Sequence, residues 1–341
     1  MKIHLSNPFS RKTFDLFNIL NSDYPELKIY FTRSDKIVLN FFTKICYPSA
    51  NLIFSNDLFK KSEEFILFPQ EVSQIQEIIQ KNQKFKYCFP DSRTIKICND
   101  KSEFYNFCQT NDINSPTVFY DGQYFEAPKN IIFKPIQGSG SRGIKIEYGF
   151  KGILTIPSGY LAQEYIGSSN QIFGFFAFCK QGDIVNSYQH VRIATYPKSG
   201  GVSVYSKIVE KKEITKAASM LIKKLNYTGL IMIEYKEFND NLYAIEINPR
   251  LWGSILLSLN QEKSLLDNYL NSIGVDTINI NKNKKDSIIW IFPYGLLYPS
   301  LVKYIRGSYL INYTKSTFFR SLLFTVLLLS FKFFKSENSS I

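Results

Sequence analysis

Residues 229–254, GLIMIEYKEFNDNLYAIEINPRLWGS, decide how the chain is read. Segments 230–238 and 242–247 are rich in β-branched and aromatic residues. Asn239, Asp240 and Asn241 between them are turn formers, so the stretch predicts a β-hairpin. With the hairpin centred on Asp240, the symmetry of the numbering puts Glu234 directly opposite Glu246. Opposed residues share a face, with Cβ atoms about 5 Å apart. Asn248 follows Glu246 at i+2 and points the same way.

Two carboxylates held together on one face repel, and a hard divalent cation compensates them best. Two Glu and one Asn amide form an oxygen-only set, which suits Mg²⁺ or Mn²⁺ rather than zinc. Arg250, two residues further on, is a fixed-charge fork suited to phosphate or carboxylate. A surface hairpin with merely solvated acids is the alternative that the stretch alone leaves open.

The chain has 341 residues, 45% hydrophobic and 16% aromatic, which predicts a globular protein of two or three packed units. The net charge of +12 comes from lysines interleaved with Asn, Ile, Phe and Tyr rather than gathered in a patch. That spread argues against nucleic acid as a partner, and an anionic nucleotide or membrane surface accounts for the charge equally well. Five cysteines without C-x-x-C spacing imply neither a disulfide framework nor a zinc site, and fit a reducing cytosol. His4 and His190 are the only histidines, too few for His-based metal or triad chemistry. The N-terminal residues lack the apolar run of a signal peptide, and the expected setting is cytoplasmic.

Outward from the hairpin, strand and helix alternate over residues 1–95: strands at 2–5, 28–31 and 65–68, and helices at 10–20 and 71–80. Ser10 is the expected cap of the first helix, whose stripe is Phe14, Phe17 and Leu20; Val72, Ile75 and Ile79 face inward on the second. This predicts a small parallel α/β unit, without a G-x-G-x-x-G and hence without a dinucleotide, forming one wall of a substrate cleft. A short helix at 99–110 opens with Asp100-Lys101.

Residues 131–147, IIFKPIQGSGSRGIKIE, read as strand, small-residue loop, strand. The loop Gly138-Ser139-Gly140-Ser141-Arg142-Gly143 joins two strands, unlike a P-loop. Its glycines let backbone N–H groups approach phosphate oxygens, the serines add donors, and Lys134 supplies a charge. A flexible linker is the alternative for this segment. Residues 160–166, YLAQEYI, predict a strand whose edge can read a purine, and 171–180 and 184–193 two more strands joined at 181–183. A helix follows at 214–225, with Ala217, Leu221 and Leu225 inward.

Asp100-Lys101, Lys134-Pro135, GSGSRG, Gln163-Glu164-Tyr165-Ile166, Gly229 through Glu234 and Glu246-Ile247-Asn248-Pro249-Arg250 occur in this order. In that order they resemble the ATP-grasp superfamily, with the nearest likeness to its carboxylate–amine ligase branch (D-aspartate ligase-like and pyrrolysine-biosynthesis-like enzymes). The likeness covers residues 1–275. It implies a mixed α/β (α+β) fold: a pre-ATP-grasp domain at 1–95, an ATP-grasp domain at 96–275 with its lid at 112–166, and a C-terminal extension at 276–341. Two α+β subdomains would clamp ATP between two sheets.

The resemblance also implies roles. Lys101 and Lys134 contact ATP phosphates, and Ser139, Gly140, Ser141, Arg142 and Gly143 form a lid loop over them. Gln163, Glu164, Tyr165 and Ile166 are the hinge that meets adenine. Glu234, Glu246 and Asn248 hold Mg²⁺ or Mn²⁺, and Arg250 steadies the transferred phosphoryl. Where many relatives carry an acidic residue for ribose, this chain has Ser168, Ser169, Asn170 and Gln171, so the ribose contact stays open. The implied reaction joins a small-molecule carboxylate to an amine or thiol through an acyl phosphate. Arg192 and Ser254 are candidates for gripping the substrate carboxylate, with a surface arginine and a helix cap as the alternatives. Two rival functions remain at this stage: a silent ATP-binding scaffold, and a carboxylate or hydroxyl kinase.

At the C-terminal end, 280–286 is a basic linker and 288–297 an apolar stretch expected to pack on the body. Residues 318–334, FFRSLLFTVLLLSFKFF, hold an apolar core about half the length of a spanning helix. With basic residues on its margins, the segment predicts peripheral contact with the inner face of the cytoplasmic membrane, docking on a partner or on the protein's own body being the alternative.

Overall fold

The structure, a computed structural model, describes residues 1–68, 70–81, 84–138, 141–167, 171–196, 201–261, 264–277 and 289–291 together with Leu323, Phe324 and Val326. Ser139, Gly140, Ser168, Ser169, Asn170, the 280–286 linker and most of 318–334 lie outside the described residues.

The first unit runs β1 (Lys2–His4), α1 (Arg11–Asp23), β2 (Lys28–Thr32), α2 (Ile37–Cys46), β3 (Asn51–Ile53), α3 (Ser55–Lys60), β4 (Phe65–Leu67) and α4 (Val72–Gln80). Its sheet is parallel in the order β3-β2-β1-β4. Phe14, Phe17 and Leu20 are buried on α1 as their spacing predicts. Two details differ. Ser10 occupies the N-cap of α1 without a side-chain capping bond, and on α4 Ile78, at i+3 from Ile75, is fully buried while Ile79, at i+4, packs half-buried against the same core. The sequence reading missed α2, β3 and α3. α2 carries apolar residues all round and so shows no single stripe.

Two short helices follow, α5 (Ser92–Asn99) and α6 (Lys101–Thr110), capped by the carboxylates of Asp91 and Asp100. Then come β5 (Val118–Phe119), β6 (Tyr124–Pro135), β7 (Lys145–Ile153) and β8 (Tyr160–Glu164), an antiparallel sheet ordered β5-β8-β6-β7.

The third sheet gathers β9 (Ile172–Lys180), β10 (Asp183–Tyr196), β11 (Val202–Ile208), β12 (Gly229–Phe238) and β13 (Asn241–Asn248), with α7 (Lys212–Lys224) inserted after β11. Helices α8 (Ile255–Gln261) and α9 (Ser264–Ser272) follow, and β14 (Ile289–Ile291) closes the order β13-β12-β9-β10-β11-β14. Strand β14 pairs with β11, so part of the apolar stretch at 288–297 does return to the body. On α7 the buried residues are Ile214, Ala218, Leu221 and Ile222, one position off the expected Ala217.

Strand β9 is buried from Phe173 to Cys179, which identifies it as the centre of this sheet. Phe173, Phe175, Ala177 and Cys179 pack with α6 and α7. Phe176 and Phe178 point the other way, towards Trp252, Tyr269 and the first unit. The sheet therefore has a helix-covered face and a face turned to the rest of the chain, and that second face carries the candidate site.

Candidate active site

Glu234 pairs directly with Glu246, as the sequence predicts, but the hairpin reaches this register by another route. The turn is not centred on Asp240. It is a two-residue turn on Asn239 and Asp240, both at positive φ (48° and 60°), pairing Phe238 with Asn241 and Tyr235 with Ala244. Continued unbroken, that register would bring Ile245 opposite Glu234 and turn Glu246 and Asn248 to the far face. A β-bulge at Ile245 absorbs one residue, and the two carboxylates and the Asn248 amide come to one face. The hydroxyl of Tyr105 on α6 donates to the Ile245 carbonyl at 2.7 Å, satisfying the bulge.

Around this row the side chains form a charge network. Glu234, 7% exposed, accepts an ion pair from Arg192 on β10. The Asn248 amide donates to Glu246 Oε1 at 3.0 Å, and its own Oδ1 accepts from Arg250 Nη2 at 2.8 Å. Lys134 on β6 donates to the Tyr105 hydroxyl at 3.5 Å and lies 5.9 Å from that ring's centroid. Burial pushes the Glu234 carboxyl above the usual carboxylate range; Arg192 opposes this, Glu246 adds to it, and Arg250 and Lys134 oppose it further. Burial likewise pushes the Lys134 ammonium down to about 8, against the pull of Glu246 and with a further push from Lys101 and Lys236.

A cleft of about 300 Å³ opens beside this row, between Glu71 and Ser73 at the start of α4, Lys101 at the start of α6, Gly138, and Glu246 with Arg250. Lys101 Nζ donates to the Gly138 carbonyl at 2.9 Å, which ties helix α6 to the glycine-rich loop. Ser141, Arg142 and Gly143 form an exposed turn of that loop, with Ser141 and Gly143 at positive φ (57° and 74°). Gln163 is fully buried with neither amide atom hydrogen-bonded, whereas Glu164 is exposed and accepts from Thr117 at 3.2 Å. Tyr165 packs edge-on against Tyr148, and Ile166 is buried.

Of the two substrate candidates, Arg192 stands beside the carboxylate row, engaged by Glu234. Ser254 is buried directly before α8, where its carbonyl accepts from Leu257 N at 3.0 Å and Ser258 N at 3.4 Å. Its position is that of a helix start.

Three residues join the network without having been singled out in the sequence. Lys236 shares the Glu234 face, donates to the Gly167 carbonyl at 2.7 Å and lies 5.1 Å over the Tyr165 ring. Its i+2 spacing from Glu234 was the available signal. Lys12 on α1 pairs with Glu71 at 2.8 Å, and burial and then Arg250 push its ammonium down to about 8. Tyr105 was visible only as an apolar helix residue.

The donor set tests well against a divalent cation. Glu234 and Glu246 with the Asn248 amide oxygen are an oxygen-only set on one face; among the described residues there is no group of three or more His, Cys, Asp and Glu. That incomplete oxygen set matches Mg²⁺, which completes its octahedron with phosphates and water. Arg192, Arg250 and Lys134 offset the charge of Glu234, and Lys134 also attracts Glu246.

Residues 98–254 match the sequence profile of the ATP-grasp domain. The chain is 29% identical over 158 residues to an uncharacterized protein of Methanocaldococcus jannaschii, a match that covers 44% of this chain and 38% of the relative's length. By fold it resembles the biotin carboxylase domain of 2-oxoglutarate carboxylase from Hydrogenobacter thermophilus, solved with MgADP, ADP and bicarbonate (TM-score 0.60, 11% identity, 82% of this chain and 71% of that one). It also resembles N5-carboxyaminoimidazole synthetase from Staphylococcus aureus (TM-score 0.57, 11% identity, 82% and 78%). Residues 98–254 are thus similar to the ATP-grasp domain, and the chain has the ATP-grasp fold.

Proposed function

We propose that the protein is an ATP-dependent carboxylate–amine (or thiol) ligase working through an acyl phosphate. The observation that carries this reading is Glu234 opposed to Glu246, with Asn248 on the same face and Lys134 beside them, at the edge of a cleft. A fold that served only to scaffold would have no use for a second acid facing the buried Glu234. The fold relatives in complex with MgADP and bicarbonate, and those that synthesise N5-carboxyaminoimidazole, support nucleotide-driven chemistry on a carboxylate.

In this reading Lys101 and Lys134 meet the phosphates of ATP, and residues 139–143 fold over them. The segment Gln163 to Ile166, at the end of the interior strand β8, meets adenine, with Glu164 its exposed member and Gln163 and Ile166 buried. Glu234, Glu246 and Asn248 would hold magnesium (or manganese), which supplies charge neutralisation at the β- and γ-phosphates. Arg250 and Lys134 stabilise charge that builds on the transferred phosphoryl. A substrate carboxylate oxygen attacks the γ-phosphorus and ADP leaves. The amine nitrogen then attacks the acyl carbon, phosphate leaves, and the nitrogen loses a proton. Arg192 is positioned to steady the carboxylate once it is released from Glu234, while Ser254 is assigned to the start of α8.

The division at 1–95, 96–275 and 276–341 belongs to this proposal; the parallel sheet of β1 to β4 lies wholly in the first segment, two sheets lie in the second, and β14 of the third joins one of them. So do the cytoplasmic setting and the membrane contact through 318–334. No helix among the described residues is long and apolar enough to cross a membrane.

The test is release of ADP and phosphate with Mg²⁺ across a panel of carboxylate–amine pairs, with Glu234→Gln and Glu246→Gln as controls. Turnover that requires both partners, reduced by about 10²-fold or more in each control, is the expected result. Tight ATP binding with no turnover for any pair would overturn the ligase reading. Phosphorylated product without an amine requirement would make the protein a kinase.

A further inference from the structure

A helix on the surface of a globular unit buries one stripe and shows polar residues on the other side. Helix α2, IVLNFFTKIC, departs from that pattern. Phe42, Thr43 and Cys46 pack inward, yet Ile37, Val38, Phe41 and Ile45 are 82%, 70%, 66% and 40% exposed. Their spacing of i, i+1, i+4 and i+8 makes one continuous outward strip. An apolar strip of this size on a soluble surface marks a docking face.

Two observations say what covers it. The strip is rimmed by exposed cations, Arg33, Lys36 and Lys44, against the single exposed acid Asp35 among residues 33–46. Arg33 also lies 4.8 Å over the ring of Phe54, which is itself 57% exposed and widens the apolar surface. Secondly, Phe324 is fully buried at the root of the same helix. Its ring stacks on Phe14 at 4.6 Å and lies 6.1 Å from Phe42 and 6.4 Å from Tyr47. Its neighbour Leu323 is 46% exposed. An apolar surface with a basic margin is the complement of an anionic lipid headgroup layer over acyl chains.

We propose that the outer strip of α2 is a docking face for an anionic membrane surface. The proposal rests on the membrane contact suggested for 318–334 and adds to it a second element, α2; it is independent of the ligase chemistry. Ile37, Val38, Phe41 and Ile45 enter the interface, while Arg33, Lys36 and Lys44 meet lipid phosphates.

The experiment is co-sedimentation of the full chain with phosphatidylcholine vesicles, with and without phosphatidylglycerol. It compares the wild type, the double variant Val38→Gln/Phe41→Gln, and the double variant Leu327→Gln/Leu328→Gln. The α2 positions are exposed, so fold is retained, and an unchanged thermal midpoint checks this. The expected result is wild-type binding that requires phosphatidylglycerol and weakens with salt, reduced about tenfold or more in the α2 variant. If the α2 variant binds like wild type and only the 327/328 variant is lost, the α2 face is refuted and the contact through 318–334 stands. If wild type stays in the supernatant, both fail. A concentration-dependent dimer that the α2 variant abolishes, without vesicle binding, would assign the face to a second copy of the chain.

Discussion

The phenol of Tyr105 donates to the main-chain carbonyl of Ile245 at 2.7 Å, so a helix residue fixes the one irregular position of the hairpin. The bulge is what turns Glu246 and Asn248 to the face of Glu234. Tyr105→Phe keeps the ring beneath Lys134 and removes only the hydroxyl. A buried carbonyl left without its donor costs about 1–3 kcal/mol. The variant is expected to lose that much stability in urea denaturation and to bind MgATP more weakly, because the carboxylate row is less firmly set. Unchanged stability would mean that the bulge holds without Tyr105.

Arg192 neutralises Glu234 across the strands, both side chains being largely buried. Arg192→Met leaves two opposed carboxylates with less compensation, and breaking a buried pair costs about 3–5 kcal/mol. Arg250 and Lys134 still bear on Glu234, so the lower end applies. The expected outcome is a loss of about 3 kcal/mol without ligand, partly recovered when Mg²⁺ and ATP are added, since a cation takes over the guanidinium's role. A loss that Mg²⁺ and ATP leave untouched would show that Glu234 is a structural partner only.

The hairpin was legible in the sequence because its two periods and its Asn-Asp-Asn turn are local. The opposition of Glu234 and Glu246 was anticipated from a three-residue turn, whereas a tighter turn plus a bulge produces it. Nothing local marks Ile245 as the bulged residue; the Tyr105 hydroxyl that satisfies it comes from 140 positions away. Helix α2 escaped notice because apolar residues on both sides erase the 3.6-residue period. Lys236 and Lys12 were hidden for another reason. A lysine's meaning depends on what buries it, and here that is the Gly167 carbonyl and the Arg250 side of the cleft.

Gly229 opens β12 at φ +113°, and a Cβ there would stand 2.8 Å from the Cys88 carbonyl and 2.9 Å from Phe89 Cα. Both obstacles are backbone, where the link from the first unit crosses the sheet. Gly229→Ala adds a strained dihedral to a clash that no side chain can relieve. The variant is expected to be destabilised by more than about 3 kcal/mol and to accumulate in the insoluble fraction. Wild-type solubility and melting would show that the crossing strand can shift at small cost.

Lys134 gives the pH dependence. Its ammonium is pushed from 10.5 to about 8, chiefly by burial, so the nucleotide-free fold disfavours the charged form. Between pH 8 and 10.5 the unfolded chain holds a proton that the folded chain has released, and stability from this group rises across that window. Binding of metal-free ATP runs the other way, because the anion prefers the ammonium. Affinity is full below pH 8 and falls about tenfold per unit above it, until the pKa of the bound state is reached. Titration calorimetry between about pH 7 and 10 checks this, with Lys134→Arg expected to flatten the profile because a guanidinium stays charged throughout. Lys12 is also pushed down to about 8, so Lys12→Met is the companion variant. If Lys134→Arg leaves the fall in place and Lys12→Met removes it, the group that meets the nucleotide is on α1, and Lys134 serves only the carboxylate row.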